Sequence, residues 1–232
     1  MRIGMRSKVF VVGLLIVLLS TLVVWSKGGN KLNFVVLLEK ENVLPYIDND
    51  IYSIKEYLVN FYSDTINDIS KNKLTIEQID SILKASSKVS KIFDIPLHIL
   101  LGMIAQESNF IVNANSFLGA SYGRGLMQVS EIALKDFNNK MGYNYKPQDL
   151  YDPEINLIVG CWIYLNNINY GVDNKHSHLI IAYNCGHKTY KDEKNFLLSA
   201  KRKDGSNYNH LNKVLAYIEE FDRVSLNYTT NL

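Results

Sequence analysis

Two cysteines in 232 residues exclude a disulfide-dense scaffold and any four-thiolate metal site. Four prolines and 13 glycines exclude collagen-like and low-complexity architecture. Charge of neither sign dominates: 25 Lys+Arg against 23 Asp+Glu leaves +2. Nucleic acid demands a basic face, so it is not an expected partner. Strand-type alternation is missing beyond residue 40, which makes the fold mainly α. What is present is ordinary globular material, 47% hydrophobic and 21% charged. A folded part of about 200 residues buries roughly 70% of its unfolded surface and needs no covalent staple. No internal repeat is visible. The aromatic inventory leans to tyrosine, with 15.

One long apolar run stands at the start. Arg2, Arg6 and Lys8 precede Val9 to Trp25, which is interrupted only by Gly13, Ser20 and Thr21. As a helix this run is about 25 Å long, just under the roughly 30 Å of a hydrocarbon core. Val24-Trp25-Ser26 is a poor cleavage site, and Trp25 suits a membrane interface. Residues 1–30 therefore read as an uncleaved signal-anchor, cytoplasmic at its N-terminus, with the rest of the chain extracytoplasmic. Cleavage near Lys27 would make the protein secreted instead. Residues 31–72 read as a membrane-proximal helical connector, 73–222 as the main domain, and 223–232 as a tail.

Helical signals then follow one another. Ile51, Ile54, Leu58 and Phe61 repeat at helical spacing. Thr75-Ile76-Glu77-Gln78 is a capping box ahead of the stripe Ile79, Ile82, Leu83, Val89 and Phe93. Leu97 to Ala105, after Pro96, is apolar nearly all round and predicts a central buried helix. Ser116 to Gly125, with three glycines, reads as a loop, and Leu126 to Phe137 as a helix. Asp152-Pro153-Glu154 is a cap, a first-turn proline and an acidic first turn, opening a helix to Ile168. A short helix over 178–183, a polar loop over 188–209 and a last helix over 212–221 complete the reading.

Three segments carry possible chemistry. Glu107 ends the buried helix, where the negative end of the macrodipole and apolar surroundings both disfavour its charged form. A carboxyl kept protonated near neutral pH is what a general acid needs. The other reading is an exposed glutamate on a last turn. Gly125-Leu126-Met127-Gln128 combines a glycine that admits close backbone approach with an amide able to donate and accept. The alternative is a helix start with Leu126 and Met127 in the core. Ala182-Tyr183-Asn184-Cys185-Gly186 offers polar groups at a helix end, or simply a left-handed C-cap at Asn184 or Gly186.

Taken in order, these segments resemble the catalytic domain of soluble lytic transglycosylases, which has the goose-type lysozyme fold. The resemblance covers about 94–186, with an extension to Tyr217. It implies a lysozyme-like helical domain behind the membrane-anchor helix. It also implies Glu107 as the sole catalytic acid, followed by Ser108 as in the family motif, with Ser116 close to the acid. Met127 and Gln128 would line the sugar site, Gln128 as a candidate for the N-acetyl group. Tyr183 would hydrogen-bond and orient Glu107, Asn184 would be its motif partner, and Tyr217 a weaker fourth motif. The chain departs from the pattern in one place: Tyr122-Gly123-Arg124 lengthens the loop after Ser116.

The implied reaction cleaves the N-acetylmuramic acid–N-acetylglucosamine bond of peptidoglycan and leaves a 1,6-anhydro end. A single good carboxylate fits it, because glycosidases with two carboxylates are the common alternative. A muramidase of the same fold and a non-catalytic wall-binding component are the competing readings. Expected partners are peptidoglycan strands, the membrane and an envelope, secretion or conjugation complex. No cofactor is expected, and no metal, since His176 and His178 are badly spaced for chelation on a helix. Glu131 is a possible second carboxylate. Cys161 and Cys185 read as packed thiols rather than a bridge. Tyr122, Tyr164, Tyr170 and Tyr190 either stack on sugars or pack.

Overall fold

A computed structural model describes residues 49–63, 74–117, 122–198 and 209–229. The expected anchor over 1–30 and most of the connector lie outside the described residues. Among those residues no helix is long and apolar enough to cross a membrane. The order is α1 (Asn49–Ser63), α2 (Ile76–Phe93), α3 (Leu97–Ser108), β1 (Asn115–Phe117), β2 (Tyr122–Arg124), β3 (Val129–Ser130) and α4 (Glu131–Met141). A 3-10 turn (Pro147–Tyr151), α5 (Pro153–Asn169), α6 (His176–Cys185), α7 (His187–Leu198) and α8 (Asn209–Thr229) follow. The fold is mainly helical, as the periodicity predicts.

Local chemistry sets the helix boundaries. Thr75 caps α2 by a full capping box: Gln78 N–H donates to its hydroxyl and Thr75 N–H donates to the Gln78 side chain at 2.8 Å. Asp94 ends α2 in the left-handed conformation, and Pro96 stands just ahead of α3. Asp152 caps α5 by accepting from Ile155 N–H at 2.9 Å, with Pro153 in the first turn. Of the two C-cap candidates after Tyr183, Gly186 takes the positive φ.

Three expectations need correction. The segment from Ser116 to Gly125 is not a plain loop. It contributes β1 and β2 to a three-stranded antiparallel sheet in the order β1-β2-β3, with Phe117 opposite Tyr122 and Gly123 opposite both Ser116 and Ser130. Strands of two or three residues are too short to show alternation. The next helix starts at Glu131, not Leu126, because Ser130 caps it and Gln128 sits at φ 50, which no helix tolerates. The polar stretch after Gly186 is helical through Leu198. Its charged face hid a helix held by tertiary contact, with Tyr190 buried.

The core gathers around α3. Leu100, Leu101 and Ile104 are fully buried there, in one apolar cluster with Val89 of α2, Val159 and Tyr164 of α5, Ile181 of α6 and Val214 of α8. Gly102 makes the closest approach possible. A methyl at that position would lie 2.7 Å from Ile218 Cγ1 and 3.2 Å from the Val214 carbonyl. α8 is therefore seated against α3 at backbone distance, and Phe110 adds an edge-on ring contact to Phe221. Gly102→Val should cost about 2–4 kcal/mol, since two branches cannot be absorbed against a backbone carbonyl. A urea titration would show it as a lowered midpoint at unchanged slope.

Candidate active site

Glu107 lies in the last turn of α3, which closes at Asn109 in the left-handed conformation. Its side chain is only 15% exposed. The exposed-glutamate reading is thereby excluded. Burial raises its pKa from 4.5 to about 7. Its apolar position follows from the helix itself, where Met103, Ile104 and Ala105 of the preceding turn are buried.

The Gly125–Gln128 turn is the second part. Gly125 has φ +73, and its N–H donates to the Ala114 carbonyl at 2.9 Å. Gln128 is buried, and its amide is engaged within the turn. Nε2 donates to Gly125 O at 2.8 Å and Ala114 O at 3.2 Å, while Oε1 accepts from Ser116 Oγ at 2.5 Å. Both amide protons are thus committed, so a sugar N-acetyl group can meet only the second lone pair of Oε1. Ser116, expected close to the acid, is bonded to Gln128 of this turn. The placement of Met127 corrects the sequence reading: its side chain is fully buried against Gly160, where an added methyl would sit 2.4 Å from the sulfur. It belongs to the core and does not line an open cleft.

The Met127 peptide is what matters. Its N–H donates to Asn156 Oδ1 at 2.8 Å, and its carbonyl accepts from the Tyr183 hydroxyl at 2.6 Å. Asn156 is wholly buried on α5, and its Nδ2 also donates to Arg124 O and Leu150 O, each at 2.8 Å. One amide side chain therefore fixes three segments at once. The sequence reading missed it, although an asparagine inside Ile155-Asn156-Leu157-Ile158-Val159 is a legible signal, since a buried amide must find partners.

Tyr183 sits within the field of Glu107, which with burial holds its phenol well above the ordinary range. Its single proton goes to Met127. It therefore has no proton to give Glu107. Tyr183→Phe should remove about 1–3 kcal/mol of stability, because the Met127 carbonyl loses its buried donor. Thermal unfolding at pH 6 checks this.

His210 is the second residue the sequence reading missed. It opens α8 and places Nε2 3.6 Å from Glu107 Oε1, with a side chain 14% exposed. No local pattern announces it, since it follows a polar stretch and its neighbour in space is a hundred residues away in the chain. Burial, then the charge of Lys213, push its pKa down from 6.5 to about 4. The pair is thus neutral at mildly acidic pH, with the proton on the glutamate.

Ser108 is buried and its hydroxyl donates back to Ile104 O at 3.1 Å within α3. Asn184 is exposed near the end of α6. Tyr217 lies two turns beyond His210 on α8, where it acts on Tyr57 of α1. The alternative carboxylates are occupied: Glu131 pairs with Arg124 at 2.6 Å, Glu154 with Lys88 at 2.7 Å, and Asp152 caps α5. Neither Cys161 nor Cys185 is in a disulfide, and Cys161 is buried in α5. Among the four open tyrosines, Tyr164 and Tyr190 are buried with their hydroxyls on His176 and His178. Tyr170 stacks on His187. Tyr122 alone of the four is largely exposed, beside the still more exposed Phe117 at 5.4 Å between ring centroids.

A comparison with curated proteins finds no match. Residues 84–209 match the transglycosylase SLT domain. That span holds Glu107 together with the Gly125–Gln128 turn, Asn156 and Tyr183, of which the last three are tied by hydrogen bonds. The chain belongs to the transglycosylase SLT domain family, whose activity is lytic transglycosylase-type cleavage of peptidoglycan.

Proposed function

We propose that the protein is a lytic transglycosylase that cleaves between N-acetylmuramic acid and N-acetylglucosamine and leaves 1,6-anhydro-muramic ends. The observation that carries this is one desolvated carboxyl, Glu107, held at about pKa 7, with Glu131, Asp152 and Glu154 each tied to another partner. Glu107 gives its proton to the glycosidic oxygen as the bond to the muramic anomeric carbon breaks. The substrate's acetamido group stabilises the charge left at that carbon. The Glu107 carboxylate then takes the proton of the muramic 6-hydroxyl, and that oxygen closes on the anomeric carbon. One residue serves as acid and then as base, so its pKa near neutrality suits both steps. Exposed Phe117 and Tyr122 offer an apolar face to the strand, and Gln128 and Asn184 offer polar contacts.

The proposed setting is extracytoplasmic, with residues 1–30 as a single membrane anchor. Mass spectrometry of muropeptides released from purified peptidoglycan tests the reaction. Anhydro ends are the expected product. Reducing ends, heavier by one water, would make the protein a muramidase and overturn the proposal.

A further inference from the structure

We propose that His210 is the positioning residue of Glu107: its Nε2–H holds Oε1, so that the acid proton rides on Oε2 and the contact tightens as the carboxylate forms. This rests on the lytic transglycosylase reading for its catalytic consequence, but not for its geometry. Three observations support it. The tyrosine expected to steer the acid gives its only proton to Met127 O, which leaves none for Glu107. His210 Nε2 lies 3.6 Å from Oε1, and both side chains are about 15% exposed. Such a separation is long for a hydrogen bond, and active-site contacts of this kind shorten when substrate fills the cleft. The position of His210 is imposed from a distance, since Gly102 seats α8 on α3 at backbone contact.

The chemistry follows from the charge state. An imidazolium at this distance would stabilise the Glu107 carboxylate in the free enzyme and leave no acid to donate. A neutral imidazole does not. The groups bearing on the pair are Tyr183 of α6, which faces Glu107, and Lys213, which helps keep His210 uncharged. Cys161 of α5 acts on Tyr183 and is a neutral thiol. A neutral N–H donor aimed at Oε1 does little for the carboxylic acid but more for the carboxylate that proton transfer creates. That difference lowers the barrier of the first step. It also decides which oxygen carries the proton. The other tautomer, with Nε2 bare, would draw the acid proton away from the substrate.

The test uses the full chain in detergent, as wild type, His210→Phe and His210→Gln. Phenylalanine keeps the ring and the burial but removes the donor. Glutamine restores a donor. Two readouts are taken: the pH profile of kcat and KM on peptidoglycan, and the titration of the Glu107 carboxyl carbon by NMR with labelled glutamate. His210→Phe should lower kcat about 10–100-fold at little change in KM, and move the Glu107 titration upward. His210→Gln should recover most of kcat and return the titration toward wild type. Unchanged kcat and unchanged titration in His210→Phe overturn the proposal. So does a loss that glutamine fails to rescue while the Glu107 titration stays put, because that is a packing effect. If the wild type releases no muropeptides but its Glu107 titration still follows His210, the pairing stands and the enzymatic reading falls.

Discussion

Glu107→Gln will release muropeptides about 10²–10⁴-fold more slowly than wild type, the range general acids contribute. Glutamine keeps the length, the planar end and an oxygen for His210 to meet. What it lacks is a transferable proton. The loss should appear in kcat with KM little changed, since ground-state contacts to the sugar are retained. An amidated acid that still cleaved at the wild-type rate would move the chemistry to another residue. Glu131 would be the first to examine, although its pairing with Arg124 at 2.6 Å argues against it.

The same substitution has a stability signature with a definite sign. Folding raises the Glu107 pKa from 4.5 to about 7. Between those values the folded protein holds a proton that the unfolded chain has released, so stability falls as pH rises through that window. The loss is complete above the folded value and amounts to about 3 kcal/mol, from 1.36 kcal/mol per pKa step. Glutamine has no such term. The unfolding free energy of Glu107→Gln minus that of wild type should therefore climb by about 3 kcal/mol from pH 4 to pH 8. His210, held at about 4, has the opposite slope: its stabilising neutral state is lost as pH falls below 6.5. That contribution is common to both proteins and largely cancels in the difference. A flat difference across the range would mean that Glu107 is not desolvated. A steep one, joined to lost activity, would show that the acid is maintained at the expense of the fold.

Glu107 was readable because a strongly apolar helix carries it, and apolar neighbours raise a carboxyl pKa wherever the helix goes. The caps at Thr75 and Asp152 were readable because they act within four residues. The small sheet was not, because its strands are two or three residues long and are held by one another and by Asn156, with no pattern of their own. The helix over His187–Leu198 was obscured by its polar face. Met127 looked like a sugar contact from its motif, and only the packing against Gly160 shows that its carbonyl, not its thioether, serves the site. His210 is the extreme case. Its meaning lies wholly in a tertiary contact that depends on a glycine 108 positions earlier in the chain, Gly102.

Gly125→Ala should be among the most damaging substitutions outside the acid itself. The residue sits at φ +73, where an alanine costs about 1 kcal/mol on backbone grounds alone. The side chain then has nowhere to go. Its methyl would lie 2.2 Å from Asn156 Nδ2 and 2.2 Å from the Leu150 carbonyl. Neither neighbour can yield cheaply. Asn156 is fully buried and bonds Met127 N–H, Arg124 O and Leu150 O, so moving it strands three backbone groups. Each buried group left unpaired costs about 1–3 kcal/mol. A total loss of roughly 4 kcal/mol or more is expected, a size reserved for strain combined with a broken network. Asn156→Ala alone should cost about 2–4 kcal/mol by the same network without the clash. The double variant discriminates the cause. Truncating Asn156 removes one of the two obstructing groups but leaves the Leu150 carbonyl in place, so the combined loss should fall short of the sum by about 1–2 kcal/mol. Strict additivity would mean that the alanine methyl escapes by shifting the 3-10 turn over Pro147–Tyr151 instead. The turn that carries Met127 and Gln128 would then be less rigid than its hydrogen bonds imply. Activity should track this coupling, because the Met127 carbonyl that anchors Tyr183 beside Glu107 is fixed by the same asparagine.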